Sequence, residues 1–260
     1  MAALLSACAT TCGAAEFRVL STIAFQHVFE EEIPAFQRAS GHTPRAAFGG
    51  TTAMAERVRN DEVADLYFGT RQAVDALVAA GKLRRDTVVD LARSPVGFAI
   101  RKGAPRPDIS TADKLRNAML ASKGITYPDP ASGSPSANHL LKVAAQLGLA
   151  DMLKTKTRRP PGTAAAGPTL LATGEADLAF QQNCELLLAP EVELLGPLPA
   201  EFELITIMSA AVTTRAQQPD ASGAFIRYLQ TPAAASVMQH WGLEPLTPTS
   251  ARSAGAGVTR

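Results

Sequence analysis

The stretch Pro44-Arg-Ala-Ala-Phe-Gly-Gly-Thr-Thr-Ala-Met-Ala-Glu-Arg-Val-Arg-Asn60 joins a short, mainly apolar run to an amphipathic run through two glycines and two threonines. The residues before the glycines, Pro44–Phe48, have the length of a strand, and Thr52–Asn60 has the apolar spacing of a helix. A strand that passes into a helix through a short turn is a βα unit, the repeating element of parallel α/β architecture.

The same unit occurs on both sides of this stretch. Before it, Phe17–Ser21 predicts a strand and Phe25–Ala39 a helix, in which Pro34 removes one backbone hydrogen bond. After it, Ala64–Gly69 predicts a strand and Gln72–Ala80 a helix. Three consecutive βα units therefore begin the folded part of the chain.

The pattern changes at Ser94–Lys102, a β-rich run that ends in a Gly/Pro-rich connection and predicts a crossover into a second lobe. The elements predicted after it are a helix that begins in a capping box at Ser110–Asp113 and ends at Ala121, a strand at Gly124–Tyr127, helices at Pro135–Leu147 and Pro168–Thr173, and a strand at Ala176–Gln181. The β-rich run Glu203–Thr213 predicts the return crossover, and helices at Pro219–Leu229 and Pro232–Trp241 follow it.

These patterns predict an α/β chain of two lobes joined by two crossover strands. Residues 17–94 and 207–246 are predicted to form the first lobe, and residues 95–206 the second. The tail over residues 247–260 is rich in Ser, Ala, Gly and Thr and is predicted to be disordered.

The composition excludes several classes of function. Of the 260 residues, 46% are hydrophobic and 19% are charged, and the formal net charge is +1 with Lys and Arg scattered along the chain. We therefore expect no nucleic-acid partner and no membrane-binding patch, and no apolar run reaches the roughly 18–20 residues that span a bilayer. The 3 cysteines and 4 histidines show neither a disulfide framework nor a metal-ligand spacing, so we expect no metal and no cofactor.

Residues 1–15 form a leader of small and apolar residues. Within it, Leu5-Ser-Ala-Cys8 has the pattern of a bacterial lipoprotein cleavage site, but the short run before Cys8 contains no basic residue. Two alternatives stay open: a truncated signal, which predicts a periplasmic protein or one lipid-anchored outside the cytoplasm, and a disordered leader without a function.

Small and hydroxyl-bearing residues follow the predicted strands and open the predicted helices. Five loops share this composition: Ser21-Thr22, Gly49–Thr52, Gly69–Arg71, Ser132–Ser136 and Gly162-Thr163. Helix starts present free N–H groups and the positive end of the helix dipole, and in open α/β sheets the ligand crevice lies at the carboxyl ends of the strands. The five loops together predict an anion site, although any one of them is explained more simply as a helix N-cap.

Four motifs have a more specific meaning: Val19-Leu-Ser-Thr22, Phe48-Gly-Gly-Thr-Thr-Ala-Met-Ala55, Ala64-Asp-Leu-Tyr-Phe-Gly69 and Tyr127-Pro-Asp-Pro130. With them, the chain from Phe17 to Glu244 resembles the periplasmic molybdate-binding components of ABC importers. The resemblance implies a type II periplasmic-binding-protein fold, a small anionic ligand held by hydroxyls and backbone amides, and a membrane permease as partner. We expect a monomer.

The resemblance also implies which residues contact the ligand. By position they are Thr51 or Thr52 in the second loop, Ser134 or Ser136 in the fourth and Thr163 in the fifth. In the first loop the chain has Thr22-Ile-Ala24 where the family has Ala-Ser-Leu, so the hydroxyl comes from Ser21 or Thr22 or is absent.

A late tyrosine of the family is also missing. Its position falls in Phe180-Gln-Gln-Asn183, where Gln181 or Gln182 offers an amide in place of a phenol. A glutamine side chain has two N–H donors and an acceptor, which suit a carboxylate or a polyol as well as an oxyanion. Molybdate is therefore not the only ligand that the sequence predicts.

Few charged side chains are candidates for the site. Arg71 follows the third strand and either pairs with a ligand carboxylate through two hydrogen bonds or lies in solvent. The pair Arg158-Arg159 either flanks the cleft or faces solvent in the same way.

Two functions fit these observations. A transport receptor closes its lobes on an oxyanion or a small carboxylate and then docks on a permease. Some proteins that resemble molybdate-binding proteins are instead aconitate isomerases, which would need an acid or base that moves an allylic proton. His139, Tyr67 and Arg71 are the residues available for such work. We expect the binding protein rather than the enzyme.

Overall fold

The structure is a computed structural model that describes residues 13–132, 134–159 and 167–246. Its strands are β1 Glu16–Thr22, β2 Thr43–Gly49, β3 Leu66–Thr70, β4 Val89–Arg101, β5 Ile125–Thr126, β6 Thr157–Arg158, β7 Leu178–Gln182, β8 Val192–Leu194, β9 Ile205–Val212 and β10 Glu244–Pro245. Its helices are α1 Gln26–Ser40, α2 Thr51–Arg59, α3 Arg71–Ala79, α4 Ala112–Ala121, α5 Pro135–Gln146, α6 Ala150–Lys156, α7 Thr169–Thr173, α8 Asn183–Leu186, α9 Pro219–Leu229 and α10 Pro232–His240. The predicted leader with Cys8, the site residue Thr163 and the tail from residue 247 fall outside these ranges.

The first three strands form the predicted parallel layer. β1 lies between β2 and β3 and runs parallel to both, with Thr22 opposite Gly49 of β2 and Ser21 opposite Phe68 of β3. α1, α2 and α3 pack against these strands, as expected for βα units. Because the three strands share one direction and one register, their carboxyl ends meet at one edge of the sheet.

Two strands connect the halves of the molecule. β4 has 13 residues and pairs with β9 and β10 up to Pro95, with a shift of register between Asp90 and Ala92, and from Val96 onward with β7 and β8. β9 runs back between β4 and β3. The predicted α/β architecture of two lobes with two crossover strands is therefore confirmed, whereas the residue limits proposed for each lobe stay a prediction.

Each half of the sheet has its own apolar core. In the first half, Phe225 of α9 lies 4.9 to 6.2 Å, between ring centroids, from four phenylalanines of β1, α1 and β3: Phe17, Phe29, Phe36 and Phe68. In the second half, the ring of Phe98 on β4 lies 4.8 Å from that of Phe180 on β7. Large buried rings contribute strongly to the stability of a core. No helix in the described part of the chain is long and apolar enough to cross a membrane.

The capping box predicted at Ser110–Asp113 is wrong by one residue. Thr111 is the N-cap of α4, and its Oγ1 accepts from the backbone N–H of Lys114 at 3.3 Å. The backbone N–H of Ser110 instead donates to Asp108 Oδ1 at 2.9 Å. This Asx-type turn holds Ser110 outside the helix, so the next hydroxyl in the chain becomes the cap.

Candidate functional site

The ends of β1, β2 and β3 bring the first three predicted loops to one edge of the sheet. The first loop contains Ser21 and Thr22, whose side chains are both buried. Ser21 Oγ donates to the carbonyl oxygen of Thr22 at 3.0 Å, so its proton is used locally. Thr22 Oγ1 is buried and has no hydrogen-bond partner among the described residues. Buried hydroxyls nearly always have a hydrogen-bond partner. The Thr22 hydroxyl is therefore the one in this loop that is available to bind a ligand or a water molecule.

The second loop opens α2 without a side-chain cap. Gly50 is the N-cap residue and has no side chain to bond the first N–H groups of the helix. Thr51 and Thr52, the predicted ligand contacts, occupy the first turn; Thr51 is partly buried and Thr52 exposed. The amides of the first turn are therefore not capped by the residue that usually caps them.

The third loop differs from the other two. Thr70 Oγ1 accepts from the backbone N–H of Ala73 at 3.2 Å and so caps α3 by itself. Arg71 donates from Nε to Asp75 at 2.9 Å and from Nη1 to both carboxylate oxygens of Asp90 at 3.0 Å. These hydrogen bonds to Asp75 and Asp90 raise the pKa of Arg71. The sequence left a ligand carboxylate or solvent open as the surroundings of this guanidinium, and the structure shows it bound to two carboxylates of the protein itself.

The fourth loop lies in the second half of the molecule, ahead of α5. Ser134 is the N-cap residue but does not cap the helix; its hydroxyl lies 2.9 Å from that of Ser136. Ser136 is buried and Ser134 is partly buried. The structure thus brings these two predicted contacts together as a pair of hydroxyls. Thr163, predicted for the fifth loop, stands outside the described residues.

The basic pair before the fifth loop lies against the protein. Arg158 Nη1 donates to the carbonyl oxygens of Thr155 and Thr157, at 3.1 and 3.0 Å. The guanidinium carbon of Arg159 lies 5.0 Å from the centroid of the Tyr127 ring, which is within the range of a cation–π contact.

The two glutamines at the end of β7 make different contacts. Gln182 Oε1 accepts from Ser94 Oγ on β4 at 2.6 Å. Gln181 Nε2 donates instead to Glu185 Oε2 in the first turn of α8. Both glutamine side chains are buried. The amide oxygen of Gln182 is therefore bound to a crossover strand, while the orientation of Gln181 depends on a carboxylate.

Glu185 and Cys184 were not predicted from the sequence. Burial raises the pKa of Glu185 to about 7, and the hydrogen bond from Gln181 opposes the shift. Burial, with the neighbouring charge of Glu185, raises the pKa of the Cys184 thiol to about 12, so this thiol is neutral. One feature of the sequence could have indicated Glu185: it follows Gln181 by four residues. At a helix start this spacing brings an amide and a carboxylate within hydrogen-bonding distance of each other.

α8 is also a point where the two halves of the molecule meet. It packs against the short helical turn Ile23–Phe25, which directly follows Thr22. Cys184, although it follows β7, is buried in the core of the first half, and its Sγ lies 3.4 Å from Ser94 Oγ. The end of β7 therefore lies beside the loop that carries the unpartnered Thr22 hydroxyl.

The other residues considered for proton transfer are placed differently. His139 Nε2 lies 2.8 Å from the carbonyl oxygen of Phe202, and its ring stacks on Phe180. The Tyr67 hydroxyl is fully buried, has no partner among the described residues, and has its pKa raised by burial. No group of three or more His, Cys, Asp or Glu side chains within the described ranges is arranged to hold a metal ion.

Two halves joined by two crossover strands, with helix starts and hydroxyls at the ends of their strands, are the architecture of a two-lobed solute-binding protein. Residues 17–244 match the family described as bacterial extracellular solute-binding protein, and the chain belongs to this family. It is 32% identical over 235 residues to an aconitate isomerase from a Pseudomonas species, a match that covers 88% of this chain and 87% of the relative.

Solved structures show the same fold at low sequence identity. The periplasmic molybdate-binding protein of Azotobacter vinelandii is 16% identical, with a TM-score of 0.70 over 89% of this chain and 99% of that one. The substrate-binding domain of a putative molybdenum ABC transporter from Clostridium difficile is 14% identical, with a TM-score of 0.68 over 90% and 100%. The tungstate-binding protein of Desulfovibrio alaskensis is 14% identical, with a TM-score of 0.62 over 90% and 100%. The predicted type II periplasmic-binding-protein fold is confirmed.

Proposed function

We propose that the chain is an extracytoplasmic solute-binding protein that closes its two lobes on a small anion, an oxyanion or a small carboxylate, and presents it to an ABC permease. The observation that carries the proposal is the buried Thr22 hydroxyl, which has no partner among the described residues. It lies at the strand edge where α2 begins, and the N-cap residue of α2, Gly50, has no side chain to cap the helix. An anion placed there would accept from the Thr22 hydroxyl and from the first N–H groups of α2.

The chemistry of the loops favours recognition by neutral donors. The side chains gathered there are hydroxyls and amides, and Arg71 is bound to Asp75 and Asp90. Backbone N–H groups at a helix start bind an anion through hydrogen bonds and the helix dipole without a cationic side chain. Such a site binds anions of several shapes, and its selectivity comes from the size of the cleft and from the last few donors.

The presence of Gln181 favours a ligand that is larger than a tetrahedral oxyanion. A glutamine in place of a phenol leaves more room and offers both a donor and an acceptor. The 32% identical relative is named for an isomerase of aconitate, which is a tricarboxylate. We therefore extend the proposed ligand class to polycarboxylates, with molybdate as the comparison.

The test is calorimetric titration with trans-aconitate, molybdate and sulfate, together with thermal melting in their presence. An anion at about 100 times its Kd should stabilise the protein by roughly 2.7 kcal/mol. Replacing Thr22 with Val keeps the shape and removes the donor, so affinity should fall by about tenfold to a hundredfold, the cost of one hydrogen bond to a charged group.

Ser222→Ala is the matched control for this variant. The Ser222 hydroxyl is also buried without a partner among the described residues, but it lies in α9, whose residues pack into the first core. Its loss should leave anion affinity unchanged. Equal effects of the two variants, or no binding of any of the three anions, would contradict the proposed function.

A second candidate function is isomerisation of a tricarboxylate on the same scaffold. The identity to an aconitate isomerase extends over most of both chains, and Glu185 places a carboxyl with a pKa of about 7 at the end of β7. A group that titrates near neutrality is suited to remove and return an allylic proton. Incubation with cis- and trans-aconitate, followed by proton NMR, tests this candidate. Interconversion that disappears in Glu185→Gln would support the isomerase. If neither isomer is converted, the isomerase is excluded and binding is the function that stands.

A further inference from the structure

Glu185 is a partly buried carboxylate that has no cationic partner among the described ion pairs. It lies in the first turn of α8. Its side-chain partner in the structure is the amide of Gln181. A carboxylate that leaves water without a cation carries a large desolvation cost, which protonation removes.

The elements that pack against α8 place no cation in a described ion pair with Glu185. They are β4, β7, β8 and the turn Ile23–Phe25, and β7 and the turn contain no charged residue. The charged or titratable groups on α8 and on these strands are Cys184 on α8, Asp90, Arg93 and Arg101 on β4, and Glu193 on β8. His27, Lys102 and His240 line the groove beside Leu187. Of the cations on the packed strands, Arg93 is paired with Glu244 and Arg101 is exposed at the far end of β4.

We infer that Glu185 takes up a proton from solvent when the anion binds, and that this proton turns Gln181 from an acceptor into a donor toward the ligand. The inference rests on the proposed function, because it places the anion beside the end of β7. It makes Glu185 a positioning residue that acts through Gln181.

The two charge states of Glu185 favour different orientations of the Gln181 amide. An ionised carboxylate has only acceptors, so it binds the Gln181 N–H, as the structure shows, and leaves the amide oxygen to face other groups. An amide oxygen that faces an anion is repulsive. A protonated carboxyl donates its O–H to that oxygen instead, and the amide turns so that its NH2 group can donate to the anion.

The electrostatic effect has the same sign. A negative charge on Glu185 repels a bound anion across a partly buried space, where screening is weak. The pKa of Glu185, raised to about 7 by burial before any ligand is present, means that the proton is half-bound near neutral pH. A bound anion should raise this pKa further, so binding above neutrality should be accompanied by proton uptake.

The experiment is calorimetric titration of the full chain with trans-aconitate and with molybdate, both fully ionised in weak alkali, in buffers of different ionisation enthalpy. At about pH 8.5 the wild type should take up close to one proton per bound anion, and its affinity should fall by up to tenfold per pH unit above neutrality. Glu185→Gln should take up none, and its affinity should be independent of pH.

Two further variants separate positioning from charge. Gln181→Leu keeps the carboxylate but removes the hydrogen bond that opposes the rise in the Glu185 pKa, so proton uptake should persist and move to higher pH. Its affinity at about pH 6 should fall toward the alkaline value of the wild type, because the amide donor is lost. Glu203→Gln removes an exposed carboxylate of the same half and should change neither quantity. Binding without proton uptake by the wild type, or an unchanged pH dependence in Glu185→Gln, would overturn the inference alone. A failure of both anions to bind at either pH would contradict the proposed function itself.

Discussion

Ser94 Oγ donates to Gln182 Oε1 at 2.6 Å, which ties the end of β7 to the first crossover strand, 88 residues away in the chain. Both side chains are buried, and Cys184 Sγ lies 3.4 Å from the same hydroxyl. The contact therefore connects the carboxyl end of β7 with the point where β4 passes from one half of the sheet to the other.

Removal of the Ser94 hydroxyl should destabilise the protein. In Ser94→Ala the amide oxygen of Gln182 remains buried without its donor, and such a loss costs about 1–3 kcal/mol. Chemical denaturation should detect this as a lower midpoint with an unchanged slope. Ser236→Ala is the control, because the Ser236 hydroxyl lies on the exposed side of α10; an equal loss in both variants would argue against the contact.

Arg71→Ala distinguishes a structural role for this arginine from contact with the ligand. Its partner Asp75 is exposed and the Asp90 side chain is 36% exposed, so the loss of both ion pairs should cost less than about 1 kcal/mol. If the guanidinium forms ion pairs with these two carboxylates and does not contact the ligand, the Kd for trans-aconitate should stay within about threefold of the wild-type value. A drop in affinity of about tenfold or more, measured by calorimetry, would restore the role that the sequence predicted for Arg71.

The stability of the protein should depend on the ionisation of Glu185. The folded pKa of about 7 lies above the ordinary carboxyl value, so the folded state holds a proton that the unfolded state has already released. Stability should therefore fall as the pH rises through the window between the two pKa values, by about 1–3 kcal/mol. Denaturant titrations of the wild type and Glu185→Gln should show similar stability near pH 5 and a more stable variant near pH 8.5, by about that amount. A constant difference across this range would contradict the prediction.

Gly69 makes room for the Tyr67 hydroxyl at the end of β3. A Cβ at residue 69 would lie 2.4 Å from Tyr67 Oη and 2.7 Å from two ring carbons. Gly69→Ala should therefore destabilise the first lobe by about 1–3 kcal/mol, as overpacking does. Tyr67→Phe removes the atom in closest contact, so the double variant should recover part of the loss; strictly additive effects in thermal melting would count against this packing.

The elements of the fold that could be predicted from the sequence are those long enough to show a periodic pattern of apolar residues. The βα units at Phe17–Ala39 and Pro44–Asn60 combine strand-length apolar runs with helical spacing, and the structure has β1, α1, β2 and α2 there. α6 and α8 were missed, because helices of 7 and 4 residues complete too few turns to show a periodic apolar face.

The loops of the candidate site were predictable, but the partners of their side chains were not. Glycine and hydroxyl residues between a strand and a helix are visible in the sequence, which is why Thr22 and Ser136 were named. The engagement of Arg71 with Asp90, and of Gln182 with Ser94, depends on which strands become neighbours in the sheet. Glu185 was missed for the same reason, since its burial is a property of the packing around α8.

β4 is one continuous strand shared by both halves of the sheet, and this continuity has a mechanical consequence. A change in the angle between the lobes can be absorbed as twist along its 13 residues, because its ladder partners change at Pro95 without a break in the strand. Twisted strands keep their hydrogen bonds. Opening and closing would then be elastic, and the amides of β4 should remain as protected from deuterium exchange in the open protein as in the closed one.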